Sequence, residues 1–319
     1  MLRSLAMPDR LIPSSVAYVA EIARRGSIQR TARELNVAAS AINRQLLLLE
    51  AELGTPLFER LPRGMRPTPA GDAVIALARH WRADTRKLRD MIQELRGEAQ
   101  GTVRIAAMDS HANGLLPVII LQLRDRHPNV SVEVQIATPD AAASLLLGEQ
   151  ADVSIIHNLA PNREIHAVIQ EPLPLGCIVA PGHPLAGRGA VTLQQVVAHP
   201  VALQSPALPI RRFLDAKYAW LFGQQDPPVV TDSLQLVKAL ALSGRYAAIT
   251  SELDAITELL SGSLRFVRVR DPGAEPQSVT VAVAARRASR IAQLVAGMIA
   301  EQVRHMLAQV RANQPQNPD

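Results

Sequence analysis

The side chains between residues 26 and 66 are suited to hydrogen bonding with nucleic acid rather than to making or breaking bonds. Asn43 carries an amide that can pair with an adenine edge through two hydrogen bonds, and its neighbour Arg44 has a donor fork for guanine or a phosphate. Ala39 and Ser40 open the same stretch and face outward if Ile42 and Leu46 face in. Arg30 and Thr31 lie one helix earlier, where they would reach the phosphate backbone. Arg60, Arg63 and Arg66 follow at spacings of three, placed to lie along the backbone or to probe a minor groove. A second set sits far downstream at the ends of expected strands and starts of expected helices: Ser110, His111, Thr138, His157, Ser205 and Ser233. Hydroxyls beside free backbone amides at helix N-termini form a receptor for an anion, typically a carboxylate.

The first set needs two short helices to position it. Ile28, Ala32 and Leu35 share one helical face, and Ile42, Leu46 and Leu49 share another. Ala32 is small where the helices must approach, and Val37 fills the turn between them. That spacing predicts a helix-turn-helix over residues 26–53, its second helix free to enter a major groove. Turn residues at 62–64, flanked by brief extended pieces, read as a wing. Thr68 can cap the following helix with Pro69 at its first position. From 70 to 96 nothing breaks that helix, and Val74, Trp81, Leu88 and Leu95 recur every seven residues, with Leu77 and Met91 in the seam and Asp84 interrupting it. At about 1.5 Å per residue the rod spans roughly 40 Å, long enough to join two subunits.

Beyond residue 101 strands alternate with helices. Strands are expected at 103–107, 130–137, 153–156, 176–180, 200–203, 246–250, 264–269 and 278–284, with helices at 114–126, 140–147, 233–242 and 289–310. The alternation reads as parallel sheet built from βαβ units. The polar tail from Arg311 is expected to fray.

Composition narrows the function. At 48% hydrophobic and 20% charged the chain is an ordinary globular one, long enough for two or three domains. The net charge of +5 lies entirely in residues 1–100, as expected of a chain that neutralises phosphates at one end. No apolar run is long enough to span a bilayer and the N-terminus lacks a long apolar core, so no membrane association and a cytoplasmic location are expected. Cys177 is the only cysteine, which excludes an internal disulfide and a cysteine-based metal cluster; no two histidines lie four apart. Nucleophile elbow, P-loop and GxGxxG motifs are absent, so no enzymatic activity, metal or cofactor is expected.

The chain resembles the LysR-type transcriptional regulators. The residues that carry this are Ala32, Leu35, Val37, Ser40, Ala41, Arg44, Gln45, Leu49 and Glu50, then Glu52 to Gly54, Leu57 to Arg60, Arg63, Gly64 and Thr68 to Gly71. Weaker markers follow at Leu116-Pro117, Pro128-Asn129, Asp152 and Gly182 to Leu185. The resemblance implies an α/β protein with an N-terminal all-α winged helix-turn-helix at 1–69, a linker and dimerisation helix at 70–98, and a two-lobed effector domain like a type II periplasmic binding protein. Lobe I would take 99–172 and 285–319, lobe II 173–284. It further implies binding to dyad-symmetric double-stranded DNA and to a small, anionic effector between the lobes. RNA polymerase and a homodimer or homotetramer complete the expected partners. The family usually has a hydroxyl cap and a glutamine where this chain has Ala38 and Ala39. Losing the cap costs about 1 kcal/mol, and losing the amide removes a base contact.

Overall fold

In the computed structural model the described residues are 11–62, 64–95, 101–222, 229–274, 276–286 and 288–313. They fall into two compact units: one takes residues up to 98 together with 148–150, the other takes 99–147 and 151 onward.

The first unit is built around α1 (Ser14–Arg25), α2 (Ile28–Leu35) and α3 (Ala39–Leu53). Ile28 and Ala32 of α2 and Ile42 and Leu46 of α3 are buried against Tyr18, Val19 and Ile22 of α1, so both helical faces expected from spacing form the core. Helix α1 was not among the expected elements, yet it supplies one wall of that core. Two antiparallel strands, β1 (Phe58–Leu61) and β2 (Gly64–Pro67), make the wing. Two glycines let it dock. A Cβ on Gly64 would meet the Gly26 carbonyl at 2.6 Å, and one on Gly71 would meet the Leu57 carbonyl at 2.0 Å. The Met65 N–H donates to Gly26 O at 2.9 Å, and the Leu57 N–H donates to Glu50 Oε1 at 2.7 Å, tying the wing to both the α1–α2 turn and the end of α3.

Helix α4 (Pro69–Leu95) starts as expected, with the Gly71 N–H donating to Thr68 Oγ1 at 3.1 Å. Its two halves differ. Val74, Ala78 and Trp81 pack on Val16 and Ala20 of α1, whereas Leu88, Met91 and Ile92 are exposed. Asp84, exposed, marks the change. The side chain of Leu95 and residues 96–98 lie outside the described residues. Glu21 on α1 joins the helices: it accepts from Arg24 and Arg25 and, at 3.0 Å, from Arg82 of α4, while Arg25 also pairs with Glu34 of α2. Burial pushes the Glu21 carboxyl up, but those hydrogen bonds and the Arg82 charge outweigh it and hold it below its ordinary value.

The second unit runs β3 (Gly101–Ala107), α5 (Leu115–Arg126), β4 (Val130–Ile136), α6 (Pro139–Leu147), β5 (Val153–His157) and β6 (Ile165–Leu173). It continues through β7 (Gly176–Val179), β8 (Ala190–Val191), α7 (Leu193–Val197), β9 (Val201–Gln204), α8 (Pro209–Lys217), β10 (Val229–Thr231), α9 (Leu234–Leu242), β11 (Ala247–Thr250), α10 (Ile256–Leu260) and β12 (Arg265–Val269). Strand β13 (Gln277–Ala284) and α11 (Arg290–Asn313) follow. Two sheets form two lobes, in the orders β4-β3-β5-β13-β6 and β10-β9-β11-β7-β12-β8.

Both sheets are mixed, not parallel as the alternation suggested: β13 runs antiparallel between β5 and β6, and β7 antiparallel between β11 and β12. Side-chain alternation reports burial but not strand direction. The lobe boundary shifts for the same reason. Residues 277–284, expected in lobe II, form the strand that β5 and β6 share in lobe I. Strand β6 has no sequence signal because its burial does not alternate cleanly, and β8 and α7 are too short to show a period. Helix α11 does not stop at residue 310. Arg311 donates to the buried Glu252 at 2.7 Å, which holds the last turn to Asn313.

Cys177 is buried in β7, and burial pushes its thiol up to about 12. No helix among the described residues is long and apolar enough to cross a membrane.

Candidate functional site

On the first unit, burial of Ile42 and Leu46 turns the opposite side of α3 outward. Ser40 and Arg44 are exposed and Ala39 half-buried. Ala38, before the helix, makes no side-chain cap. Asn43 is half-buried, and Arg60 of β1 donates from Nη2 to Asn43 Oδ1 at 3.1 Å. Arg66 is exposed and held by Glu59, its cross-strand partner, at 2.6 Å. Arg63 lies outside the described residues. Arg30 is exposed on α2, but Thr31 is fully buried, and its hydroxyl donates to the Ser27 carbonyl at 2.8 Å. The cause is visible in its spacing: Thr31 falls three residues after Ile28 and one before Ala32, inside the buried stripe.

In the second unit, the turn Asp109–His111 after β3 meets the start of α9 from the other lobe. Ser233 caps α9 by accepting from the Leu236 N–H at 3.3 Å, and its hydroxyl also faces Asp109 Oδ2 at 3.5 Å. The Gln235 N–H points at the same oxygen, 3.4 Å away, and the Gln235 amide bridges Asp109 O at 3.0 Å and Asn113 at 2.8 Å. Met108, Leu208 and Leu234 close over this junction, and Arg212 of α8 pairs with Asp140 of α6 at 2.9 Å. An internal carboxylate thus occupies a helix N-terminus, the place where a bound anion is favoured.

Beneath lies a buried polar cluster. His111 and His157 stack with centroids 5.3 Å apart, their Nε2 atoms 3.3 Å apart. One Nε2 must carry the proton and the other must lack it, so the neutral pair holds opposite tautomers. Asp254 Oδ1 stands 4.0 Å from His157 Nε2, while Oδ2 accepts from Thr250 and Ser251 hydroxyls at 2.8 Å each. Burial, aided for His111 by the neighbouring imidazole and Lys238 and opposed by Asp254, lowers both histidines, His111 to about 3. Burial works against the Asp254 carboxylate, but the two imidazoles and the hydroxyl donors hold it below its ordinary value. Ser110 Oγ, His111 Nδ1 and Asp254 Oδ1 are buried without a hydrogen-bond partner among the described residues. Such atoms are expensive unless another group supplies the missing bonds.

Of the six downstream residues, Ser110, His111 and His157 are therefore buried and Ser233 is half-buried at the junction. Thr138 is exposed and caps α6, its Oγ1 accepting from Ala141, and Ser205 is half-buried beside β10. Asp109, Asp254 and Gln235 carry no motif that marks them in the sequence. The adjacency of Asp109 to Ser110 was the one available signal. No group of three or more metal-ligating side chains that could hold an ion occurs among the described residues.

Comparison with known proteins agrees with this two-part plan. A model described as a bacterial regulatory helix-turn-helix protein of the lysR family matches residues 14–72, and one described as a LysR substrate binding domain matches 96–304. The chain is 31% identical over 262 residues to an uncharacterized HTH-type transcriptional regulator of Mycobacterium tuberculosis, covering 78% of this chain and 83% of that one. The RuBisCO operon transcriptional regulator of Allochromatium vinosum is 29% identical over 175 residues, 55% of this chain and 58% of its own length. Among solved structures, full-length OxyR from Pseudomonas aeruginosa superposes with a TM-score of 0.64 at 18% identity, covering all of both chains. CbnR in complex with its target DNA gives 0.59 at 19% identity, covering 92% of this chain and 99% of that one. At these identities the solved structures establish the fold alone.

Proposed function

The chain belongs to the LysR family of DNA-binding transcriptional regulators, and from that premise we propose that α3 reads a dyad-symmetric promoter while a small anionic effector binds between the lobes. The observation that carries the DNA half is the α3 surface: Ser40, Asn43 and Arg44 opposite a buried Ile42 and Leu46, flanked by a docked wing. Arg30 and Arg66 would hold the backbone. Thr31 contributes by fixing α2 through its buried hydroxyl rather than by touching DNA. The effector half is supported by the α9 N-terminus, where Ser233 and the Gln235 amide already face a carboxylate of the chain itself. An incoming anion would take the place of Asp109, with Ser110, His111, His157, Thr138 and Ser205 around it.

A domain division follows: a head to residue 69, a linker at 70–98, lobe I from 99–173 and 277 onward, and lobe II between them. The exposed Leu88, Met91 and Ile92 on α4 support dimerisation through the linker, and a homotetramer would pair two such dimers. The protein would act in the cytoplasm, where its DNA and RNA polymerase are. Hydroxyl-radical footprinting on the DNA flanking its coding sequence tests the reading. Two protected half-sites related by a dyad are expected; protection without symmetry, or none, would overturn it.

A further inference from the structure

The stacked histidines under the lobe junction form a directed chain of hydrogen bonds. We propose that Asp254 is a positioning residue for the effector site: acting through His157, it holds His111 in the tautomer whose Nδ1–H donates to a bound carboxylate. This rests on the reading that the effector binds between the lobes.

Between the two rings there is room for one hydrogen. The Nε2 atoms of His111 and His157 lie 3.3 Å apart, so one donates and the other accepts. Asp254 decides which. Its Oδ1 stands 4.0 Å from His157 Nε2, and no such pair is formed with His111 among the described residues. A negative charge favours the facing nitrogen that carries a hydrogen, so the shared hydrogen belongs to His157. His111 Nε2 then accepts, and the neutral ring must keep its own hydrogen on Nδ1. Burial keeps both rings neutral. Lys238, the remaining charge that faces His111, does not reverse the order, because its ammonium is paired with Glu258 at 3.0 Å. His111 Nδ1 is buried with no acceptor among the described residues, and Ser110 Oγ beside it is unpartnered too. A carboxylate that displaced Asp109 from the α9 N-terminus would meet this donor on the same turn, Asp109–His111.

The fold fixes the chain at its charged end. Asp254 Oδ2 accepts from the Thr250 and Ser251 hydroxyls at 2.8 Å each and from the Ser251 N–H at 3.3 Å. A backbone N–H can only donate, so the atom facing it must stay an oxygen in Asp254→Asn. The new NH2 therefore takes the place of Oδ1 and turns a donor toward His157 Nε2. That nitrogen becomes the acceptor, the shared hydrogen moves to His111 Nε2, and His111 Nδ1 is left with a lone pair that repels a carboxylate. Loss of the negative charge alone would act the other way and tighten anion binding.

The test is magic-angle-spinning 15N NMR at pH 7.5 on the full-length protein labelled at its eight histidines, with His111 and His157 assigned by their loss in His111→Gln and His157→Gln. Ring 15N shifts separate protonated from unprotonated nitrogens. Wild type is expected to show Nδ1–H on His111 and Nε2–H on His157, and Asp254→Asn the reverse on both. Acetate, lactate or succinate should move the wild-type His111 Nδ1 resonance, and by calorimetry the one that binds should bind about tenfold more weakly to Asp254→Asn. His111 with its hydrogen on Nε2, or with both nitrogens protonated once a carboxylate is bound, overturns the proposal; a shift on adding the carboxylate would still leave the effector reading intact. Equal or tighter binding by Asp254→Asn means that Asp254 acts by charge alone and overturns it as well. The wild-type tautomers are read without any variant at Asp254, so failure of that variant to fold does not remove the test. If none of the three carboxylates moves His111 or raises thermal stability, the effector reading falls and takes this proposal with it.

Discussion

The outward face of α3 and the junction between the lobes use the same kinds of side chain in opposite states. On α3, Ser40 and Arg44 stand in solvent, where an unmade hydrogen bond goes to water at little cost. Under the lobe junction, Ser110, His111 and Asp254 each hold a polar atom out of water with no hydrogen-bond partner among the described residues. Those unmade bonds make the junction less stable than its packing alone would give.

The contrast can be broken most severely at the head. Replacing Asn43 and Arg44 together by alanine removes both proposed base-reading groups, each worth about 1–3 kcal/mol, so specific DNA affinity should fall at least about thirtyfold at fixed salt. Fluorescence anisotropy measures it, and thermal unfolding should be unchanged because both side chains lie outside the core. Equal affinities would mean that another surface reads the DNA.

The next effect belongs to the junction and is set by pH. His111 and His157 are lowered in the fold from the ordinary 6.5, so the unfolded chain binds more protons as soon as pH drops to that value. Their contribution to stability is complete above 6.5 and is lost as pH falls from there toward the folded values, at about 1.4 kcal/mol per pH unit for each imidazole that stays neutral. Glu21 and Asp254, also lowered, add losses only nearer to and below the ordinary carboxylate range. Denaturant titrations at pH 7.5, 6.5 and 5.5 should show little change over the first step and a clear loss over the second. A flat profile would mean that the imidazoles are not held neutral.

A smaller effect sharpens the switch. Asp109→Asn removes the internal carboxylate from the α9 N-terminus, and small carboxylates should then bind about two- to fivefold more tightly by calorimetry. Weaker binding would show that Asp109 holds the ligand rather than competing with it. The smallest change returns to the head. Ala38→Ser supplies the missing cap on α3 and should raise its stability by up to about 1 kcal/mol.

How far the molecule was legible follows the same division. Helices α2 and α3, the wing and the α4 cap are local, so the spacing of Ile28, Ala32, Ile42 and Leu46 and the Thr68-Pro69 pair disclose them directly. Thr31 lies in the buried stripe, as its spacing three residues after Ile28 implies. The Arg60–Asn43 contact spans the turn between helix and wing, and no periodicity connects the two. At the junction His111 and His157 were visible singly, but their stacking depends on β3 and β5 lying side by side. Asp254 joins them only because β11 ends there, and strand order and direction leave no trace in hydrophobic pattern. The mixed sheets and the return of β13 to lobe I were hidden for that reason.

If the α3 surface reads DNA, occupancy of the lobe junction should change that reading. One measurement addresses both parts: hydroxyl-radical footprints of the full-length protein on its selected duplex, with and without a carboxylate that raises its thermal stability. Two dyad-related protected half-sites whose pattern shifts on adding the carboxylate are expected, with no such shift in Ser233→Ala. Half-sites that stay the same while the carboxylate binds would contradict it.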